Sequence, residues 1–566
     1  MTDNLRVAFA DSSPTVMGAS TETPLQKSGA GSCKEHGIMP MPDAHRKAKP
    51  VVAQDTTSQP PSDQQIPPKP KKSISFHMSV IMLAVVALTV SWDSTTIAVA
   101  IPTITNQLHG TSLESFWASI AFMLGVVVTQ PIYSSVSNVL GRRYTLQAAI
   151  VLFTIGCIIF AVARNMAIVI LGRALQGLGG GGLDVLQAVI LSDITTLKER
   201  PLYLGIMALA IAIGTMTGPI VGAIFTEYVN WRWIGWINLP LSAAMFLLAQ
   251  FFLHLKPIDL DLKSKIRRLD WGGMALFITG AVLTALPLSW ANDLFTWSSW
   301  QTLVPLILGA ILLVLFAFYE KKPVEPIIPH RIFANTTFVM ALISGFMNGM
   351  VLYTLVLYLP LFFQAVYLQA PLEAALSALP LACVTLGFSF IASVMMERTR
   401  RYWLQLCIAW ILSTVFLGLW SRVDKDTPRA ISYTYQAFLG VGIGTVFTTT
   451  TVQLQASVEL IDDMGLAAGL LVFFRLFGAL LGQTIGATVF TSVFRQGFVE
   501  IGPVPDSLRI LEDPAQAVGF IHSLNEIDLP EDVMARLLDV YQGPFRVIWL
   551  VMAEREDTGR QAFEVR

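Results

Sequence analysis

A run of about 20 mostly apolar residues is the length a helix needs to cross a bilayer, and this chain contains thirteen such runs between residues 78 and 492. Only 14% of its 566 residues are charged and 54% are hydrophobic, where a soluble chain carries about a quarter charged. Backbone groups in hydrocarbon must be bonded within their own segment, so the fold class is an all-α integral membrane protein. A fourteenth run begins near Phe545 and continues through Val547–Ala553, then meets Glu554-Arg555-Glu556-Asp557. About nine apolar residues do not cross a bilayer, so the last helix is expected to be truncated.

Several function classes drop out early. The net charge of -1 offers no basic field for nucleic acid. Cys33, Cys157, Cys383 and Cys407 form neither a disulfide framework nor a zinc spacing. The run Gly179–Gly182 follows no strand and precedes no Lys-Ser/Thr, so it is no phosphate loop, and no nucleophile–base set stands out. The chain therefore reads as a non-enzyme without metal or cofactor, with the bilayer as its obligate partner.

Residues 1–75 are polar and rich in Pro, Ser, Gln and Lys, a composition that buries no core, and no apolar stretch before Phe76 suggests a cleaved signal. Lys and Arg set the orientation: with the tail cytoplasmic, the inner loops hold fifteen and the short outer loops five. An internal repeat is also visible. Arg142-Arg143-Tyr144 after the second run matches Arg400-Arg401-Tyr402 after the tenth. Gly214, Gly218 and Gly222 in the fifth match Gly478, Gly482 and Gly486 in the thirteenth. Repeated halves are a transporter architecture. The expected plan is 6+2+6: a tail 1–75, a six-helix bundle 76–256, a two-helix insert 257–335 and a second bundle 336–566. The latter carries a polar outer loop 495–544, with a surface helix near Pro530-Glu531-Asp532.

Polar residues inside apolar helices cost about 2.5–3.5 kcal/mol each when charged and so point to function. In the fourth run Arg173 and Asp184 are eleven residues apart and share a face with Gly177, Gly180 and Gln187; Gln176 lies beside them. Asp93 in the first run lies at a depth similar to Arg173, which leaves an ion pair geometrically open. Asp93 is the expected proton carrier, with Arg173 and Asp184 as partners, because burial disfavours a charged carboxylate and a nearby arginine favours it. The competing reading is a structural ion pair. Arg475 in the thirteenth run, together with Gln176, Gln187, Asn348 and Tyr353, is expected to line a substrate cavity; a snorkelling arginine is the alternative. Gly214, Gly218, Pro219 and Gly222 read as a close, bendable helix contact, or as plain packing. Asn138, Gly141, Arg142 and Arg143 form a tight loop at helix ends, or a simple positive anchor.

Together these motifs resemble the major facilitator superfamily, in particular its 14-helix drug:proton antiporters of the fungal toxin and multidrug efflux type. The likeness covers about residues 78–495. Ser134-x3-Asn138-x2-Gly141-Arg142-Arg143 is similar to the family's Gly-x3-Asp-x2-Gly-Arg-Arg, with Ser134 and Asn138 replacing the Gly and Asp. Arg173 through Gly180 resembles the helix 4 signature. The Gly214–Gly222 run resembles the antiporter signature, with Ala223 where a second Gly is usual. Asp93 with Ile101-Pro102, Trp231-Arg232-Trp233, Asn238-Leu239-Pro240 and Leu359–Gln364 are further similar stretches. The resemblance implies a monomer that exports small amphipathic molecules against protons across the plasma membrane. An importer, a vacuolar transporter of amino acids or siderophores, and a non-transporting sensor share the same architecture.

Overall fold

The computed structural model describes residues 72–564, except 197–198, 255–269, 292–294, 322–332, 334, 400–401, 459–463, 501–504, 525–526 and 528. Residues 1–71 of the tail, most of the basic loop after the sixth run and the Arg400-Arg401 pair thus lie outside the described residues. Among the described residues fourteen long helices follow one another: α1 (Ile74–Gln107), α2 (Ser112–Leu140), α3 (Arg142–Ala161), α4 (Met166–Ile194), α5 (Arg200–Ile224), α6 (Trp233–Phe252), α7 (Trp271–Trp290), α8 (Trp300–Tyr319), α9 (Thr336–Val366), α10 (Pro371–Thr399), α11 (Tyr402–Trp420), α12 (Arg429–Ala456), α13 (Met464–Glu500) and α14 (Glu531–Glu564). The first thirteen are long and apolar enough to cross a membrane.

The helix ends follow from local chemistry. Thr111 accepts from the Glu114 amide while the Glu114 carboxylate accepts from the Thr111 amide, a reciprocal cap that satisfies two otherwise unpaired donors. Gly141 links α2 to α3 in one residue at φ 102°, a backbone state that L side chains resist. The turns after α1 and α9 share a second device: His109 at φ 51° and Leu368 at φ 53°, each two residues past its helix. The two halves therefore repeat in turn geometry as well as in sequence.

Close helix pairs repeat in the same way. In the first half α5 lies on α1 and α4 lies on α2 and α3; in the second α13 lies on α9 and α12 on α10 and α11. Helix α6 packs on α1 and α3, and α14 on α9, α11 and α13. The insert helices α7 and α8 pair with each other, and α7 reaches both α2 and α13. Small residues make these contacts possible. A Cβ at Gly478 would collide with the Phe346 carbonyl oxygen, whereas Gly418 faces open space. Gly478→Val is expected to cost roughly 1–3 kcal/mol and to lower the melting temperature of the solubilised protein, while Gly418→Ala leaves it unchanged; equal melting of both variants would mean that the α9–α13 contact is loose.

Two expectations need correction. The acidic stretch at Glu531-Asp532 is no separate surface helix but the first turn of α14, which continues past Glu554 without a break. Leu537, Tyr541, Phe545, Ile548, Trp549 and Met552 recur at helical spacing and are buried, so one stripe holds α14 against the second half. Its apolar length is still short, and it is not among the thirteen spans. The segment 505–524 is likewise no loose loop. It forms short turns that bury Leu508, Leu511, Ala517, Val518, Ile521 and Leu524. It also bonds to the α1–α2 turn: Asn106 Nδ2 donates to Ser523 Oγ at 3.2 Å, and Ser112 Oγ donates to Pro514 O and accepts from Val518 N, both at 3.1 Å.

Candidate functional site

The two halves meet unevenly. Toward the end that carries the α1–α2 and α9–α10 turns, Gln364 Nε2 donates to Val99 O at 3.2 Å, Leu372 N to Glu227 Oε2 at 3.1 Å and Ser119 Oγ to Gln483 Oε1 at 3.3 Å. The Phe116 ring lies 5.4 Å from both Tyr358 and Phe490. At the opposite end, that of Gly141, the bonds among the described residues stay within one half. Lys72–Glu199 at 2.6 Å and Arg142–Asp193 at 3.0 Å join parts of the first half, and Asn335 to Ser457 O at 3.0 Å joins parts of the second. The buried apolar side chains near that end also fall into separate clusters, Val80–Leu253 and Phe338–Leu471.

Inside the first half, a charged group is fully enclosed. Arg173 Nη1 and Asp93 Oδ2 form an ion pair at 2.7 Å, with Arg173 1% and Asp93 2% exposed. The sequence depth argument brought these two together. The structure adds the rest of the shell. Asn238 Nδ2 donates to Asp93 Oδ1 at 2.7 Å, Gln176 Nε2 donates to the same oxygen at 3.4 Å and to Cys157 Sγ at 3.2 Å, and Gln176 Oε1 accepts from Arg173 at 3.0 Å. Arg173 Nε donates to Ala118 O at 3.1 Å, and its guanidinium lies 4.3 Å from the centre of the Phe122 ring. Five helices, α1, α2, α3, α4 and α6, thus converge on one buried pair and its shell. A buried charge persists only when paired and hydrogen-bonded, and here each is. Gln176, fully buried in this shell, does not line a cavity as expected. Asn238 and Cys157 carry roles that the sequence did not assign; a lone Asn inside an apolar run was the available signal.

Asp184 does not join this pair, although it shares the α4 stripe. Gln130 Nε2 of α2 donates to it at 2.5 Å and Gln187 Nε2 at 3.4 Å. Arg475 lies opposite on α13, where Nη2 donates to Phe447 O at 3.1 Å and the guanidinium sits 3.6 Å from the Phe447 ring centre. Asn348 of α9 donates to Ile443 O at 3.2 Å. Asp184, Tyr353 and Arg475 are near enough to interact electrostatically. The polar residues therefore divide into an enclosed set within the first half and a second set shared between the halves.

The packing motifs are placed as follows. The α5 glycines face α1: a Cβ at Gly214 would come 2.7 Å from Leu88 O, and side chains at Gly218 and Gly222 would overlap Thr95 and Thr96. Helix α5 runs through Pro219 unbroken and ends in a single π-helical turn, Phe225–Val229. Asn138 lies in the last turn of α2, not in a loop, and is exposed. Arg142 reaches Ser137 Oγ at 2.5 Å and Asp193 of α4, and Arg143 donates to Gln250 O of α6 at 2.7 Å. Asp193 thus supplies Arg142 with an acid although position 138 is an asparagine.

Residues 83–483 match the model of the Major Facilitator Superfamily. The chain is 43% identical over 486 residues to the MFS-type transporter sphD of Aspergillus fumigatus, covering 85% of this chain and 84% of that one. It is 31% identical to the efflux pump FUS6 of Gibberella moniliformis, covering 91% of each, and 31% identical to the MFS-type efflux pump MMF1 of Mycosarcoma maydis, covering 74% of this chain and 68% of that one. Among solved structures, a bacterial homologue of the human lysosomal transporter Spinster, inward-facing and occupied, superposes with a TM-score of 0.55 at 14% identity, over 87% of this chain and 97% of that one; a D-xylose–proton symporter gives 0.51 at 13%, over 79% and 97%. At those identities the structures speak for the fold alone, and they agree with thirteen apolar helices arranged in repeating halves. The chain belongs to the major facilitator superfamily and is a multi-pass membrane transporter of the kind represented by fungal efflux pumps.

Proposed function

We propose that the protein is a proton-coupled antiporter that exports small amphipathic molecules, such as secondary-metabolite toxins or xenobiotics, across the plasma membrane by alternating access. The observation that carries this reading is the Asp93–Arg173 pair, a carboxyl and a guanidinium group 2.7 Å apart and buried among the apolar helices. A proton on Asp93 removes the charge that Arg173 pairs with, so protonation and the ion pair compete for one carboxylate. The consequences reach the seam between the halves along short paths. Arg173 holds the Ala118 carbonyl, and the next residue, Ser119, bonds Gln483 of the second half. Asp93 lies six residues before Val99, whose carbonyl accepts from Gln364. Loss of the pair therefore loosens α1 and α2 where they close one end, which gives the two-state element that coupling requires.

On the positive-inside orientation the Gly141 end is cytoplasmic, and the structure corresponds to a state closed to the outside. One pH unit supplies about 1.36 kcal/mol and 100 mV about 2.3 kcal/mol per charge, enough to drive a modest concentration ratio. The names of the efflux-pump relatives support the outward direction. The test is expression in a pump-deficient cell with a panel of compounds, with and without an uncoupler. Lower accumulation that the uncoupler abolishes is expected; higher accumulation on expression would make the protein an importer and sink the proposal.

A further inference from the structure

The seam between the halves contains polar atoms that the protein leaves without partners. Gln130 Oε1 and Gln187 Oε1 flank Asp184 on the first half, and Asn348 Oδ1 and Arg475 Nε belong to the second. All four side chains are more than nine-tenths buried, where an unmet hydrogen bond costs about 1–3 kcal/mol. Counted from the Gly141 ends of their helices, Gln130, Asp184, Arg475 and Asn348 lie about 15–18 Å deep at 1.5 Å per residue, which places them at one level. Asp184 and Arg475 lie on helices α4 and α13, which touch each other, yet among the described residues no ion pair joins them. The first half thus offers a carboxylate flanked by amide oxygens, all acceptors. The second offers a guanidinium with a free N–H, resting on the Phe447 ring.

We infer that this seam binds zwitterionic amphiphiles, with an ammonium group toward Asp184 and a carboxylate toward Arg475. The inference rests on the transport reading but concerns what is carried rather than what drives it. A lone cation meets Asp184 but is repelled by Arg475. A lone anion meets the reverse. A neutral molecule leaves two buried charges unanswered, which is the expensive outcome at mid-membrane. A molecule with both charges answers each half once, donates to the free amide oxygens beside Asp184, accepts from Arg475 Nε and bridges the two bundles, as a substrate of alternating access has to do. Tyr353, which lies near both charged groups, and the Phe447 ring supply apolar surface beside them.

The test uses purified full-length protein and three probes with one alkyl chain: 2-aminododecanoic acid, its methyl ester (cation only) and its N-acetyl derivative (anion only). Binding is measured at neutral pH without any gradient, so that selectivity is read apart from proton drive. The zwitterion is expected to bind about tenfold or more tighter than either singly charged probe, or about 1.4 kcal/mol. Asp184→Asn is expected to bring the zwitterion down to the level of the N-acetyl anion, and Arg475→Gln down to that of the ester. Equal binding of ester and zwitterion by the unaltered protein, no binding of any probe, or variants that weaken all three alike would overturn the inference. The melting temperature of each variant identifies one that has simply failed to fold. For such a variant, Asp184→Glu or Arg475→Lys takes its place and is expected to keep the zwitterion preference. Probe selectivity without gradient-driven flux in vesicles would sink the proton-coupling reading and leave this inference standing.

Discussion

Asp93→Asn is expected to abolish pH-gradient-driven transport, by about two orders of magnitude or more, in a protein that still folds and inserts but melts lower, because Arg173 loses the charge it pairs with. The asparagine keeps the shape of the aspartate but offers one acceptor oxygen, so it can accept from Arg173 or from Asn238, which in the native protein bond separate carboxylate oxygens at 2.7 Å each. It cannot take up and release a proton. Downhill exchange of substrate across vesicles with no gradient is expected to survive in this variant, because binding at the seam between the halves does not involve Asp93. The measurement is paired: counterflow at equal pH, and uptake under an imposed pH step. Persistence of pH-driven uptake in Asp93→Asn would place the proton site elsewhere.

The second large effect falls on stability. Arg173→Met removes the partner of a carboxylate that is only 2% exposed, and breaking a buried pair by removing one partner costs about 3–5 kcal/mol. That is a large share of a typical folding free energy of about 5–15 kcal/mol. Arg173→Met is therefore expected to express poorly and to melt well below the unaltered protein. The double variant Arg173→Met with Asp93→Leu exchanges the charged couple for apolar side chains, and its melting temperature should recover most of the loss while transport stays absent. A single variant that folds normally would mean that Asp93 takes up a proton, or that water reaches it, once its partner is gone. A double variant that melts as low as the single one would mean that Arg173 matters chiefly for the Ala118 carbonyl and the Phe122 ring that it also contacts.

The sequence announced the fold through the apolar runs, because a bilayer leaves few ways to satisfy a backbone and each of them needs a long segment. It announced the repeat through the glycines of α5 and α13, since close approach admits no larger residue. It also brought Asp93 and Arg173 together, although by an imperfect route: α1 continues to Gln107, several residues past the end of its apolar run. What stayed hidden depends on helix rotation and on neighbours far away in the chain. Asn238 is 145 residues from Asp93 and Gln130 is 54 from Asp184, and no local spacing links them. Arg173 and Asp184 share an α4 face yet serve different neighbours, α1 for one and α2 for the other. Segment 505–524 escaped because its apolar residues sit in short turns without the period of a helix or a strand. The run of α14 past Glu554 escaped because hydropathy marks where a helix leaves hydrocarbon and not where it stops.

That segment changes how the transporter meets its surroundings. It belongs to the second half by chain, but it grips the first through a serine hydroxyl, an asparagine amide and backbone groups of Pro514 and Val518. These bonds carry no net charge, so ionic strength scarcely weakens them. The apolar side chains buried beneath respond instead to temperature, since their burial weakens on cooling. Salt in the surrounding solution should therefore leave the resistance of this joint to parting almost unchanged, and cold should ease it.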